Sequence, residues 1–206
     1  MKKAWIGKGT LAVAVMALAG FLLGKDSISF YSWWMLAGIL GLLFQPLTAR
    51  LFSGFADRGW MFSKVIGVLI PGYLPWVLVV GGILPFTTAS CIGVTAVCAD
   101  LLIVWCFQDA KKRILTLPEG QWNLVYWVEL IFLVLFLLWT YLAGFRPQAY
   151  GTEKFMDYGF MEAMMRSVTL PAKDLWYSLE NINYYYGGQY FDVFLTKLTG
   201  TQGAVT

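Results

Sequence analysis

The chain contains no histidine, so zinc sites built on imidazole and Ser-His-Asp catalysis are excluded. Acid–base chemistry must fall to carboxylates, lysines and tyrosines. These gather near the C-terminal end, in Gly151-Thr-Glu-Lys-Phe-Met-Asp157, Leu170-Pro-Ala-Lys-Asp-Leu-Trp176 and Asn181-Ile-Asn-Tyr-Tyr-Tyr-Gly-Gly188. A helix begun near Glu153 turns about 100° per residue, which puts Glu153 and Asp157 on one face. Phe160, Met161 and Met164 continue that face, whereas Glu162 and Arg166 form an i,i+4 surface pair on the other side. Two carboxylates one turn apart can hold a divalent cation such as Mg2+ or Mn2+, or one can act as general base. Acids also favour the first turn of any helix because of its dipole, so a structural role competes with the chemical one.

Asp174 lies in a turn-like segment, where a carboxylate commonly caps the helix that follows. Trp176, Tyr177, Tyr184, Tyr185, Tyr186 and Tyr190 form an aromatic set. Partitioning to a membrane interface alone explains such a set; the alternative is a platform for stacking on a sugar or a flat ligand. Gly187-Gly188 lacks the strand-to-helix setting of a phosphate loop.

The composition says what must position these residues. The chain is 59% hydrophobic and 13% charged, far from the roughly half-apolar, one-quarter-charged profile of a soluble domain. Lipid must solvate most of that surface, so the fold class expected is all-α, a polytopic helical membrane protein. The net charge of +3 is small, and no basic stripe on a soluble surface points to nucleic acid. Cys91, Cys98 and Cys106 share one apolar segment, which argues against a disulfide framework or a metal site.

Hydropathy predicts five spans near residues 9–24, 32–49, 65–86, 88–107 and 122–145. The first is short and follows a basic start, as in a signal peptide, but no small-x-small site precedes Lys25, which favours a retained helix. Pro71 and Pro75 bend the third span. Two further helices are expected at Glu153–Ser167 and Tyr184–Leu198. This divides the chain into residues 1–31 (a signal-anchor helix and short external loop), 32–146 (four spans) and 147–206 (an acidic, aromatic region).

Basic residues set the orientation. Lys2, Lys3, Lys8, Arg50, Arg58, Lys64, Lys111, Lys112 and Arg113 fall in alternate gaps, and the remaining gaps hold only Lys25. The positive-inside rule then places the N-terminus inside the cell membrane and everything after Arg146 outside. Asp100 and Glu129 fall within spans. An ionisable group there is a functional hypothesis by default. Antiparallel neighbours would bring both to about 10 Å inside the boundary at about 1.5 Å per residue. They could line an ion path in a transporter-like subunit, or be protonated and hydrogen-bonded between helices.

Several blocks resemble the YYY-type membrane proteins, a prokaryotic family of unknown function (domain of unknown function 2298). They are Asp57-Arg58-Gly59, Gly72-Tyr-Leu-Pro-Trp76, Glu129, Arg146-Pro147, Thr152-Glu153-Lys154, Met156-Asp157, Asp174, Trp176, Asn183-Tyr-Tyr-Tyr186 and Lys197-Leu-Thr-Gly200. Ala172, Leu175 and Gly187 depart from the family pattern. Family members usually continue through further spans, so the resemblance implies an N-terminal portion completed by a C-terminal half or a partner subunit. The layout is similar to that of GT-C membrane glycosyltransferases, which use polyprenyl-phosphate sugars. By that analogy Glu153 and Asp157 would be catalytic or metal-holding, with Asp174 assisting. Lys154 and Lys173 would contact phosphate, and Trp176, Asn183, Tyr184, Tyr185 and Tyr186 would face the lipid-linked donor. A non-enzymatic scaffold remains the alternative.

Overall fold

A computed structural model describes residues 2–108, 121–146, 148, 150, 151 and 153–203, the side chains of residues 2–5 and 108 excepted. Asp109, Lys111, Lys112, Arg113 and Thr152 lie outside the described residues. Seven α-helices follow in order: α1 (Lys2–Leu23), α2 (Ser27–Leu51), α3 (Trp60–Val80), α4 (Thr88–Gln108), α5 (Trp122–Gly144), α6 (Lys154–Arg166) and α7 (Gly187–Thr199). Among the described residues the only β pairing is an isolated bridge between Lys173 and Asn181.

Among the described residues four segments are long and apolar enough to cross a membrane: Ile6–Leu51, Trp60–Val80, Thr88–Phe107 and Trp122–Gly144. The first is 46 residues long and is folded in two by a 3-10 turn at Gly24–Asp26. Unbroken, a helix would separate Met16 from Tyr31 by about 22 Å. Instead the Tyr31 hydroxyl donates to the Met16 carbonyl at 2.7 Å, so the chain doubles back. The result is a five-pass helical membrane protein, as the hydropathy predicts. The turn is tighter than the external loop expected before Ser32, because Gly24 takes the left-handed φ of 55° that lets the chain reverse at once.

α2 is the central element; it packs most extensively on α3 and also touches α1, α4, α5 and α7. The α2–α3 seam depends on glycine. A Cβ on Gly67 would come within 2.6 Å of the Leu40 carbonyl oxygen, and one on Gly41 within 2.9 Å of the Lys64 side chain. Small residues permit this close backbone approach. α1 and α5 run parallel: Lys8 Nζ donates to Asn123, the Tyr126 hydroxyl donates to the Lys8 carbonyl at 2.8 Å, and farther along Ala19 packs on Leu133 and Leu137.

α3 starts five residues earlier than expected. Asp57 accepts from the backbone N–H groups of Gly59 and Met61 at 3.1 and 3.2 Å, which satisfies donors that a helix start leaves open. Lys64 is thereby drawn into the helix. At the opposite end of the bundle α6, α7 and the segment between them form a cap with its own core. Phe160, Met164, Ile182, Tyr190 and Phe194 pack there on Val79, Phe86 and Cys91 of the α3–α4 hairpin. Tyr190 fastens α7 to α3 by donating to the Gly72 carbonyl at 2.7 Å. Both predicted short helices are present, α7 beginning three residues later than expected because Asn183–Tyr186 run without helix up to Gly187.

Candidate functional site

A cleft of about 810 Å³ opens where the cap meets the bundle. Its floor is apolar, with Leu22 and Leu23 from the end of α1, Phe30 and Trp33 from the start of α2, and Phe136 and Trp139 from the second half of α5. Its mouth is charged: Asp26 comes from the α1–α2 turn, Arg146 from the exit of α5, Lys154 and Asp157 from α6, and Asp192 from α7.

Asp157 is held from across the cap. Gln189 Nε2 on α7 donates to its Oδ1 at 2.6 Å. Asp192 lies three residues beyond Gln189, on the same side of α7. It is an exposed residue that lines the cleft; desolvation by the protein around it, and then the charge of Asp157, raise its carboxyl above the ordinary carboxylate value. Lys154 Nζ donates to the Arg146 carbonyl at 3.0 Å, tying the start of α6 to the exit of α5.

Of the residues singled out in the sequence, Asp157 and Lys154 reach the cleft. Glu153 is the exposed N-cap residue of α6, and its carbonyl accepts the backbone N–H groups of Met156 and Asp157. It does not line the cleft. Asp174 Oδ1 accepts from the Trp176 and Tyr177 backbones at 2.7 and 3.1 Å, a capping arrangement outside the cleft. Lys173 Nζ donates to the Leu179 carbonyl at 3.2 Å. Asn183 is exposed.

The aromatic set divides. Trp176 packs edge-on against Phe155 and Phe160. The Tyr184 and Tyr185 rings stack at 3.9 Å, exposed. The Tyr184 hydroxyl donates to that of Tyr185 at 2.6 Å, which pushes the Tyr184 phenol up to about 12. Tyr186 accepts from Trp76 Nε1 at 3.2 Å and anchors the cap to α3. Tyr190 is core.

The membrane acids do not share a path. Glu129 has a cation partner instead of an open path: Lys64 Nζ forms an ion pair with Glu129 Oε1, and Trp60 Nε1 donates to the same oxygen at 2.6 Å. The early start of α3 places Lys64 within reach. Asp100 is exposed on α4. α5 does not pack beside α4 as a main neighbour, so Asp100 and Glu129 are not brought together as adjacent antiparallel helices would bring them.

No three His, Cys, Asp or Glu side chains converge as metal ligands among the described residues. Glu153 and Asp157 therefore lack a third protein ligand of that kind among the described residues. Asp26 and Asp192 complete the mouth and Gln189 holds Asp157, and the sequence reading passed over all three. An acid on an amphipathic helix such as α7 reads as solvated; only the packing of α7 against α6 brings it to the cleft beside Asp157.

Five apolar crossings, a folded cap and a charged cleft between them define a polytopic helical membrane protein with a ligand-sized site at one end of its bundle. The chain belongs to the family described as uncharacterized membrane protein (DUF2298), whose sequence profile matches residues 70–206. The matched region takes in the second half of α3, all of α4 to α7 and the acids of the cap. No curated protein and no solved structure matches the chain.

Proposed function

We propose that the protein is a GT-C-like membrane glycosyltransferase, which moves a sugar from a polyprenyl-phosphate donor to an acceptor hydroxyl, with Asp157 as general base. The observation that carries this reading is the position of Asp157. It is oriented by Gln189 on the wall of a cleft that combines an apolar floor with cations and carboxylates at its mouth. Asp157 takes the proton of the acceptor hydroxyl as that oxygen bonds to the anomeric carbon. The bond from the anomeric carbon to the donor phosphate oxygen breaks, and polyprenyl phosphate leaves with the electron pair. Lys154 and Arg146 are the cations available to that phosphate.

The orientation in this reading is extracytoplasmic for the cleft. Lys8 and Lys64 lie towards the far end of the bundle, the end that the positive-inside rule assigns to the cytoplasm. Acceptor-binding groups from further spans or a partner subunit complete the site. The test is transfer of labelled sugar from polyprenyl-phosphate hexose in vesicles containing the protein. Asp157→Asn is expected to lower transfer at least 100-fold, in the range of a lost general base. Transfer undiminished by Asp157→Asn would falsify the assignment.

A further inference from the structure

The two acids that lie within crossings have different surroundings. Glu129 on α5 meets Lys64 and Trp60. Asp100 on α4 is exposed and has no hydrogen bond or ion pair among the described residues. Twelve residues separate it from the first residue of α4 and eight from the last. At about 1.5 Å per residue it lies about 18 and 12 Å from the two helix ends. That is hydrocarbon depth for a crossing helix. An aspartate side chain is too short to carry its carboxylate out to the interface, as lysine or arginine can. An ionisable group so placed is costly unless protein or water faces it.

The face around Asp100 has room for a neighbour. α4 packs on α3, α2 and α7. Its buried Cys91 and Cys98 point about 160–180° away from Asp100, at about 100° per residue. Gly93 and Ala96, both exposed, lie within about 40° of it by the same count. A Cβ on Gly93 would meet nothing within 4 Å. Small residues on a crossing let another helix backbone come close, and close approach brings a polar partner within reach of a short acid.

The charge of that partner follows from what this chain holds. α4 and α5 contain no lysine or arginine. Lys64 is committed to Glu129, Lys8 donates to Asn123, and Arg50 lies at the end of α2 over the Trp105 ring. A second copy laid on this face by two-fold symmetry would set acid against acid. The complement is a cation from another sequence.

We propose that the Asp100 face of α4 is a docking surface for a second membrane-spanning helix, one that carries a lysine or arginine at the depth of Asp100. That helix packs over Gly93 and Ala96, and its cation pairs with the carboxylate. The proposal goes beyond the glycosyltransferase reading and does not depend on it, because no residue of α4 lines the cleft.

The experiment places the whole chain in liposomes with a synthetic single-span peptide of leucine and alanine, about 20 residues long, and reads association by fluorescence energy transfer. One peptide carries a lysine at the level of Asp100, and its control carries leucine there. The lysine peptide is expected to associate about tenfold more tightly, the scale of an interhelical polar contact in a bilayer. Asp100→Leu should erase that preference, and Asp100→Asn should lose most of it. Ala96→Phe, which adds bulk to the seam, should weaken binding of the lysine peptide with the carboxylate still present. Circular dichroism unchanged in these variants separates lost docking from lost fold. Equal binding of both peptides to the wild type, or a lysine preference that survives Asp100→Leu, overturns the proposal. Energy transfer between labelled copies of this chain that vanishes in Asp100→Leu, with neither peptide bound, assigns the face to a self-contact and overturns the basic partner.

Discussion

Gln189 and Asp157, 32 positions apart in the chain, meet through a single 2.6 Å hydrogen bond that joins α7 to α6. The bond commits one carboxylate oxygen of Asp157, a residue that lines the cleft. It also gives α7 a part in the site that the acids of α6 alone do not suggest.

Gln189→Leu removes that donor while keeping a side chain of similar size. A hydrogen bond to a charged group is worth about 1.5–3 kcal/mol. Transfer is therefore expected to fall about 10- to 100-fold, with Asp157 still present. Kinetics should show the loss in kcat more than in KM, because the amide orients the base and does not bind the donor. An unchanged kcat would remove Gln189 from the site.

Glu129 and Lys64 pair within the bundle, their side chains 29% and 11% exposed, and Lys64 also lies over the Phe132 ring at 5.2 Å. Glu129→Leu leaves the ammonium without its carboxylate in a low-dielectric setting and is expected to destabilise the protein by about 3 kcal/mol. Adding Lys64→Met to it should recover most of that loss. Unfolding in mixed micelles measures both, and the double-mutant cycle isolates the pair.

Gly67→Ala tests the α2–α3 seam. Its Cβ would sit 2.6 Å from the Leu40 carbonyl oxygen, and backbone cannot swing away as a side chain can. Overpacking of this kind costs about 1–3 kcal/mol. Gly38→Ala on the same pair of helices meets nothing within 4 Å and should be neutral or slightly stabilising, since alanine favours helix. A melting temperature equal for the two variants would contradict the described seam.

Lys197 is 7% exposed in the cap, where its ammonium lies over the Phe86 ring at 4.7 Å and donates to the Met165 carbonyl at 3.3 Å. Burial, partly offset by the Cys91 thiol, lowers its pKa from the usual lysine value of 10.5. Between the folded and unfolded pKa values the unfolded chain holds a proton that the fold does not. Cap stability is thus expected to rise as pH climbs through that window towards 10.5. Hydrogen exchange of α7 from neutral to alkaline pH reads the slope, and Lys197→Met should abolish it.

The amino-acid sequence by itself determined the crossings and their order, because hydropathy over about 20 residues is a local property that lipid enforces on each segment separately. It also marked the two cap helices and the Glu162–Arg166 pair, which meets at 3.4 Å, since one helix positions both ends. Tertiary structure alone decided which acids matter together. Helical phase groups Glu153 with Asp157, but it cannot say that the helix begins at Lys154 and leaves Glu153 outside the cleft. Nor can it say that Asp192 and Gln189 arrive from α7, or that Lys64 reaches Glu129 across 65 positions. Those meetings depend on how helices pack against one another, and a side chain's own periodicity carries only its direction from its own axis.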